Sequence, residues 1–208
     1  MVLSSLGSFV VVGLLTLTPG MDTALILRTA AVGAPRRAWG VVLGIQSGTL
    51  VWGVLTSAGV TALLTASHLA YETLRWAGAC YLVWMGVAMV WGSRSRRPQP
   101  VDEPAVGSDD FVPGSRRGLL TNLLNPKMGA FYVALLPQFI PAGAPTFGYG
   151  VLLAGVHIAL GVVWSAVLVL LARRLRQVLR RPVARRLLDR ITGTIIAGFG
   201  VRLATNGL

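Results

Sequence analysis

Residues 147–172 read FGYGVLLAGVHIALGVVWSAVLVLLA, an uncharged run that stops only at Arg173-Arg174. About 20 apolar residues in a helix cross a hydrocarbon core roughly 30 Å thick, and this run is longer than that. Outward from it, further apolar segments lie near 4–27, 38–64, 71–92, 118–140 and 191–207. Pro141-Ala142-Gly143-Ala144-Pro145-Thr146, with its two prolines and a glycine, predicts a tight turn between the fourth and fifth segments. Backbone groups in lipid are satisfied by helices or by a closed barrel. Barrel strands are about 10 residues long and alternate in polarity, whereas Val41-Val42-Leu43 and Val167–Leu171 are continuous apolar runs inside much longer segments. The expected fold is therefore all-α: a polytopic membrane protein of six transmembrane helices forming one membrane domain over 1–208.

Composition agrees. Of 208 residues, 54% are hydrophobic and 12% charged, against about 45–50% and about 25% in soluble domains. The net charge of +12 would suggest nucleic acid if the basic residues formed one solvated surface; here they sit between apolar segments. The lone Cys80 excludes an internal disulfide, a multi-cysteine metal site and a CxxC pair, and reads as packing. Phe9–Leu17 has the length of a signal-peptide core, but no Lys or Arg precedes it and the run continues past Thr18-Pro19-Gly20 to Leu27, so a retained first span is expected.

All 19 basic residues except Arg75, Lys127 and Arg202 fall in the odd-numbered loops. Lys and Arg in short loops mark the cytoplasmic side, which predicts both termini outside. The third loop, with Pro98, Pro100, Asp102, Glu103, Pro104, Asp109 and Asp110, reads as a cytoplasmic linker, 93–117, between a first half, 1–92, and a second half, 118–208. In the fifth loop Leu175, Val178, Leu179, Leu187 and Leu188 recur among arginines at near-helical spacing. This is the pattern of an interfacial helix on anionic lipid; a solvated charge cluster that only sets topology is the alternative.

Ionisable groups within spans are costly and so are functional candidates. Asp22, Lys127 and Arg202 are the main ones, and Arg202, near the terminus, reads as an interface anchor. At about 1.5 Å per residue Lys127 lies some 15 Å beyond Arg117, near the bilayer midplane. Asp22 is its natural counter-charge; the alternative is that Asp22 snorkels and Lys127 pairs with carbonyls. Leu17-Thr18-Pro19-Gly20-Met21 and Leu124-Asn125-Pro126-Lys127-Met128 occupy the same ordinal place in each half. With three spans per half the copies are inverted, the arrangement in which paired broken helices build a central site; two plain proline kinks are the alternative.

Gly40, Gly44 and Gly48 form one face of the second span, suited to close helix contact or dimerisation. Gln46, Ser47 and Thr49 beside them line a cavity or bond within their helix. His157 is a buried, satisfied imidazole or a proton-handling group. The chain has no HExxH, GxSxG or P-loop, which argues against an enzyme, and nothing in it calls for a cofactor.

Thr18-Pro19-Gly20-Met21-Asp22-Thr23, the Gly40-Gly44-Gly48 stripe, Gly78 to Gly86, and Arg117–Lys127 followed by Leu135-Leu136-Pro137-Gln138-Phe139 resemble the LysE/RhtB family of amino-acid exporters over nearly the whole chain. The resemblance implies a bacterial plasma-membrane exporter of amino acids or their derivatives, driven by proton antiport. Met21 stands where the family usually has a second proline, which leaves the first break less rigid. Distant members of the superfamily carry redox cysteines beside such prolines; this chain has none there.

On this reading Thr18, Pro19, Gly20, Asp22, Gln46, Asn122, Asn125, Pro126 and Lys127 form a substrate and coupling site, with a carboxylate near Lys127 and an ammonium near Asp22. Protonation of Asp22 would couple efflux to proton entry, a role that needs burial to favour its neutral form. The partners expected are a small amino-acid substrate, the proton, membrane lipid and a second copy in a homo-oligomer, but no nucleic acid. The competing reading is a membrane-embedded scaffold without transport, which gains little from an intramembrane Lys127.

Overall fold

Prolines open three of the described helices, and one of them, Pro126, interrupts the fourth segment. The computed structural model describes residues 16, 20–31, 34–95, 109–141, 143–172 and 182–205, among which there is no strand. In order they form α1 (Met21–Ala31), α2 (Pro35–Ala66), α3 (His68–Ser95), α4 (Phe111–Leu123), α5 (Pro126–Ala130), a π-helical turn Phe131–Leu135, a 3-10 turn Leu136–Phe139, α6 (Thr146–Leu170) and α7 (Pro182–Thr205). Pro35 and Pro182 stand at first helical positions, where a missing N–H costs nothing. Between α2 and α3 the chain turns at Ser67, whose Oγ accepts from the Ala70 N–H at 3.2 Å. At the expected turn after Pro141, Gly143 takes φ 82°, open to glycine without strain.

Among the described residues, three helical stretches, Pro35–Ala62, Leu69–Gly92 and Thr146–Leu170, are long and apolar enough to cross a membrane. The last has a mean hydropathy of 2.2, yet only 28% of its most apolar window is buried in the protein. Leu152, Val163 and Leu170 point outward from it. A water-soluble helix turns its apolar side inward, so this outward face suits lipid.

The boundaries differ most from the sequence reading in the fourth and the last segments. The segment 118–140 is not one helix: α4 begins earlier, at Phe111, and stops at Leu123, and α5 starts at Pro126. Proline disfavours the helical conformation in the residue before it, and Asn125 is extended, with φ −79° and ψ 108°. Arg116 and Arg117 consequently belong to α4 rather than to the linker. The last helix likewise begins at Pro182, so Arg185, Arg186 and Arg190 share it with the apolar stretch Gly193–Thr205. Leu175, Val178 and Leu179 of the fifth loop, Thr18 and Pro19 of the first break, and the Arg202 side chain lie outside the described residues.

Lipid tails are as apolar as leucine, so helices in a membrane associate through close packing of small residues. On α2, Gly40 and Gly44 face the backbone of Phe111 and Ser115 on α4, and Gly114 and Gly118 of α4 face the carbonyls of Arg37 and Val41 in return. The glycine stripe is thus occupied within the chain, as close helix contact. Gly53 meets Ala154 and Gly150 meets Ser57 where α2 crosses α6; Gly86 meets Gly193 and Ala197 where α3 crosses α7. Two apolar clusters result. One gathers Leu25, Val41, Val42 and Leu168 around α1, α2 and α6; the other gathers Leu82, Phe131, Tyr132, Ile196 and Leu203 around α3, α7 and the π turn.

Asp109, at the end of the linker, closes the first turn of α2: its Oδ1 accepts from the Arg37 N–H at 2.8 Å. The first N–H groups of a helix have no partner within it, and a carboxylate there also meets the positive end of the helix dipole. Asp109→Ala should therefore lower thermal stability by about 1 kcal/mol, the usual cost of losing a helix cap, measurable as a fall in melting temperature in detergent.

Candidate functional site

The Asn125-Pro126 break forms its own cap. Asn125 Oδ1 accepts from the Lys127 N–H at 3.1 Å, with Pro126 at the first helical position, so a helix stops and restarts without stranding its first donors. At the other break Gly20 is non-helical, and its carbonyl accepts from the Ala24 N–H at 3.0 Å as the first hydrogen bond of α1. Asp22 lies in that first turn, where the helix dipole favours a negative charge.

The two breaks come together. Gly20 and Asp22 from the first, and Asn125 and Lys127 from the second, line one cavity with Gln46 and Asn122. Pro126 acts behind it, by ending α4 and starting α5. Asn122 links the halves: its Nδ2 donates to Asp22 Oδ2 at 2.9 Å and lies 3.4 Å from Thr49 Oγ1. Asn122 is 0% exposed, and it fits because Gly48 opposite has no Cβ; one built there would sit 2.6 Å from Asn122 Oδ1. Trp52 Nε1 donates to the Asn122 carbonyl at 3.4 Å, near the C-terminal end of α4. Ser47 instead bonds back to the Leu43 carbonyl at 2.9 Å and is exposed, so of the three polar neighbours on α2 only Gln46 and Thr49 reach the cavity.

Three atoms of this region are buried without a hydrogen-bond partner: Asp22 Oδ1, Asn122 Oδ1 and Trp164 Nε1. Each unsatisfied polar group in such a place costs about 1–3 kcal/mol. Such groups are rare in native proteins and are met by an ordered water, an ion or a bound ligand.

His157 lines the cavity from α6 and is satisfied from behind, its Nδ1 lying 3.0 Å from Tyr132 Oη. The two rings stack with centroids 5.8 Å apart, and Phe131 meets His157 edge-on. Sequence reasoning singled out His157 but not Tyr132, and it missed Trp164 and Ser165 altogether. Spacing on α6 was the available signal: His157, Gly161, Trp164, Ser165 and Leu168 share one helical face. Among the described residues no three His, Cys, Asp or Glu side chains form a group able to hold a metal.

The family model described as LysE type translocator matches residues 14–207. A homoserine/homoserine lactone efflux protein of Salmonella typhimurium is 29% identical, over 92% of this chain and 91% of its own length. A leucine efflux protein of Klebsiella pneumoniae is 28% identical, over 91% and 89%; a membrane protein of Pseudomonas aeruginosa is 31% identical, over the same shares. No solved structure gives a significant match. With a match that covers the helix breaks, the cavity between them and nearly all the rest of the sequence, the chain belongs to the LysE type translocator family.

Proposed function

We propose that the protein is a secondary transporter, not an enzyme, that exports amino acids or their derivatives across the bacterial plasma membrane by proton antiport. One observation carries the reading: an acid and a base from opposite halves of the chain, Asp22 and Lys127, line a single cavity between two helix breaks. A zwitterion presents one charge of each sign, and this pair presents the complements. The names of the Salmonella and Klebsiella relatives support an amino-acid substrate.

The proposed frame is six spans in one membrane domain, two inverted three-helix halves, a cytoplasmic linker and both termini outside. Its support is the packing, in which each helix touches its counterpart: α1 meets α4, α2 meets α6 and α3 meets α7. In transporters built of inverted repeats the site lies at the interface between the two halves. The scaffold reading loses its docking face, since α4 occupies the glycine stripe. Membrane lipid and a second copy remain proposed partners of the outer surface.

Efflux from cells preloaded with mixed amino acids tests the proposal, comparing wild type with Lys127→Ala at matched membrane expression, with and without an uncoupler. Wild type should export particular amino acids in an uncoupler-sensitive way, and Lys127→Ala should lose at least about 90% of that rate, as expected when a charge contact to the substrate worth more than about 1.4 kcal/mol is removed. Identical efflux from wild type, variant and empty cells across the panel would overturn it.

A further inference from the structure

The charges and unsatisfied atoms of the cavity define a narrower ligand than an amino acid in general. Among the described residues lining it, Asp22 and Lys127 are the Asp, Glu, Lys or Arg side chains, one of each sign. A ligand carrying one ammonium and one carboxylate uses both. A third charge, on a ligand side chain, would enter a low-dielectric site with no counter-charge left for it, and an unpaired buried charge is strongly disfavoured.

The unsatisfied atoms repeat this division. Asp22 Oδ1 on α1 and Asn122 Oδ1 on α4 are two acceptors awaiting donors, and an ammonium has three N–H groups to give. Trp164 Nε1 on α6 is the reverse, a buried donor awaiting an acceptor; an indole N–H can only donate. Its ring is held against the apolar cluster of α1, α2 and α6, which keeps that N–H where it is. Ile26, Ile45, Met128 and Leu168 supply the apolar part of the wall. The one further titratable lining group, His157, has its Nδ1 engaged by Tyr132.

Resting on the exporter reading above, we infer that the site takes amino acids with an uncharged side chain, and that Trp164 is a specificity residue whose indole N–H binds the substrate carboxylate. A carboxylate oxygen accepts that hydrogen bond, the ammonium satisfies Asp22 and Asn122, and the side chain lies on the aliphatic wall.

Counterflow of labelled L-leucine in proteoliposomes containing the full chain tests both parts, with L-homoserine, L-lysine, L-glutamate and 3-methylbutylamine as competitors. The last is leucine without its carboxylate. Wild type should be inhibited by homoserine, and at least about tenfold more weakly by lysine, glutamate and the amine. Trp164→Phe keeps the ring and removes the N–H. Its half-saturation for leucine should rise about tenfold, the effect of losing one hydrogen bond to a charged group, while inhibition by the amine stays as in wild type. The ratio of leucine to amine affinity within one preparation does not depend on how much protein has folded, so a folding defect cannot imitate this result. Lysine or glutamate competing as well as leucine would overturn the substrate class. An unchanged ratio in Trp164→Phe would overturn the role of Trp164, and in both cases the exporter reading stands if Lys127→Ala still abolishes efflux. Absence of exchange by wild type with every amino acid would remove the exporter reading and this inference together.

Discussion

Asp22→Asn should reduce gradient-driven efflux at least a hundredfold at matched membrane expression. The substitution is nearly isosteric, and the new amide oxygen can accept from Asn122 Nδ2 as Asp22 Oδ2 does at 2.9 Å, so the link between the halves survives. Charge and titration do not. In the proposed cycle the carboxylate holds the substrate ammonium in one protonation state and releases it in the other; an amide offers only one state. A neutral amide also forfeits the charge-assisted part of the ammonium contact, which is roughly twice as strong as its neutral counterpart. The measurement is uncoupler-sensitive efflux from preloaded cells, with membrane levels matched by immunoblot. Driven efflux that persists in Asp22→Asn would remove Asp22 from the coupling step.

The largest effect on stability is expected at Gly44. A Cβ there would press on the Ser115 carbonyl and lie 2.7 Å from the Leu119 N, both main-chain atoms of α4 that cannot rotate aside. Gly44→Ala must therefore spread α2 and α4 along their crossing, at a cost of about 1–3 kcal/mol, the range for overpacked interiors. Gly59 is the control: it lies in the same helix with nothing within 4 Å of a built Cβ. Gly59→Ala should stabilise by about 0.5–1 kcal/mol, because alanine loses less backbone freedom on forming a helix. Opposite shifts in melting temperature in detergent would bear this out; equal shifts would mean that helix propensity, not the α2–α4 contact, governs both positions. Because Asn122 sits on the same crossing, over Gly48, Gly44→Ala should impair efflux as well as stability.

Much of the architecture was legible because its causes are local. Apolar length marked the three long helices to within a few residues, and the Asn125-Pro126 pair marked the break, since the constraint proline places on its predecessor acts within one residue. The starts of α4 and α7 were not legible. Both helices run through arginine-bearing turns, where hydropathy reads loop although the backbone hydrogen bonds continue. The cap that Asp109 places on α2 joins residues far apart in the sequence, and no periodicity announces it.

The candidate site divides in the same way. Asp22, Asn125 and Lys127 were conspicuous because charges and prolines in apolar runs are expensive and rarely idle. Tyr132 and Trp164 carried no such mark, for aromatic residues are ordinary in a membrane span. Their significance depends on what faces them: a histidine nitrogen 3.0 Å from one hydroxyl, and no acceptor for the other's N–H. By itself, then, the sequence determined the helical class, the membrane setting and the places where helices must break, since each follows from the cost of exposing backbone and side chains to a known solvent. Only the tertiary structure decided that both breaks open on one cavity, that the glycine stripe is filled by α4, and which polar atoms are left unsatisfied. Those are pairings across the chain, set by how surfaces fit and beyond the reach of any local property of the residues.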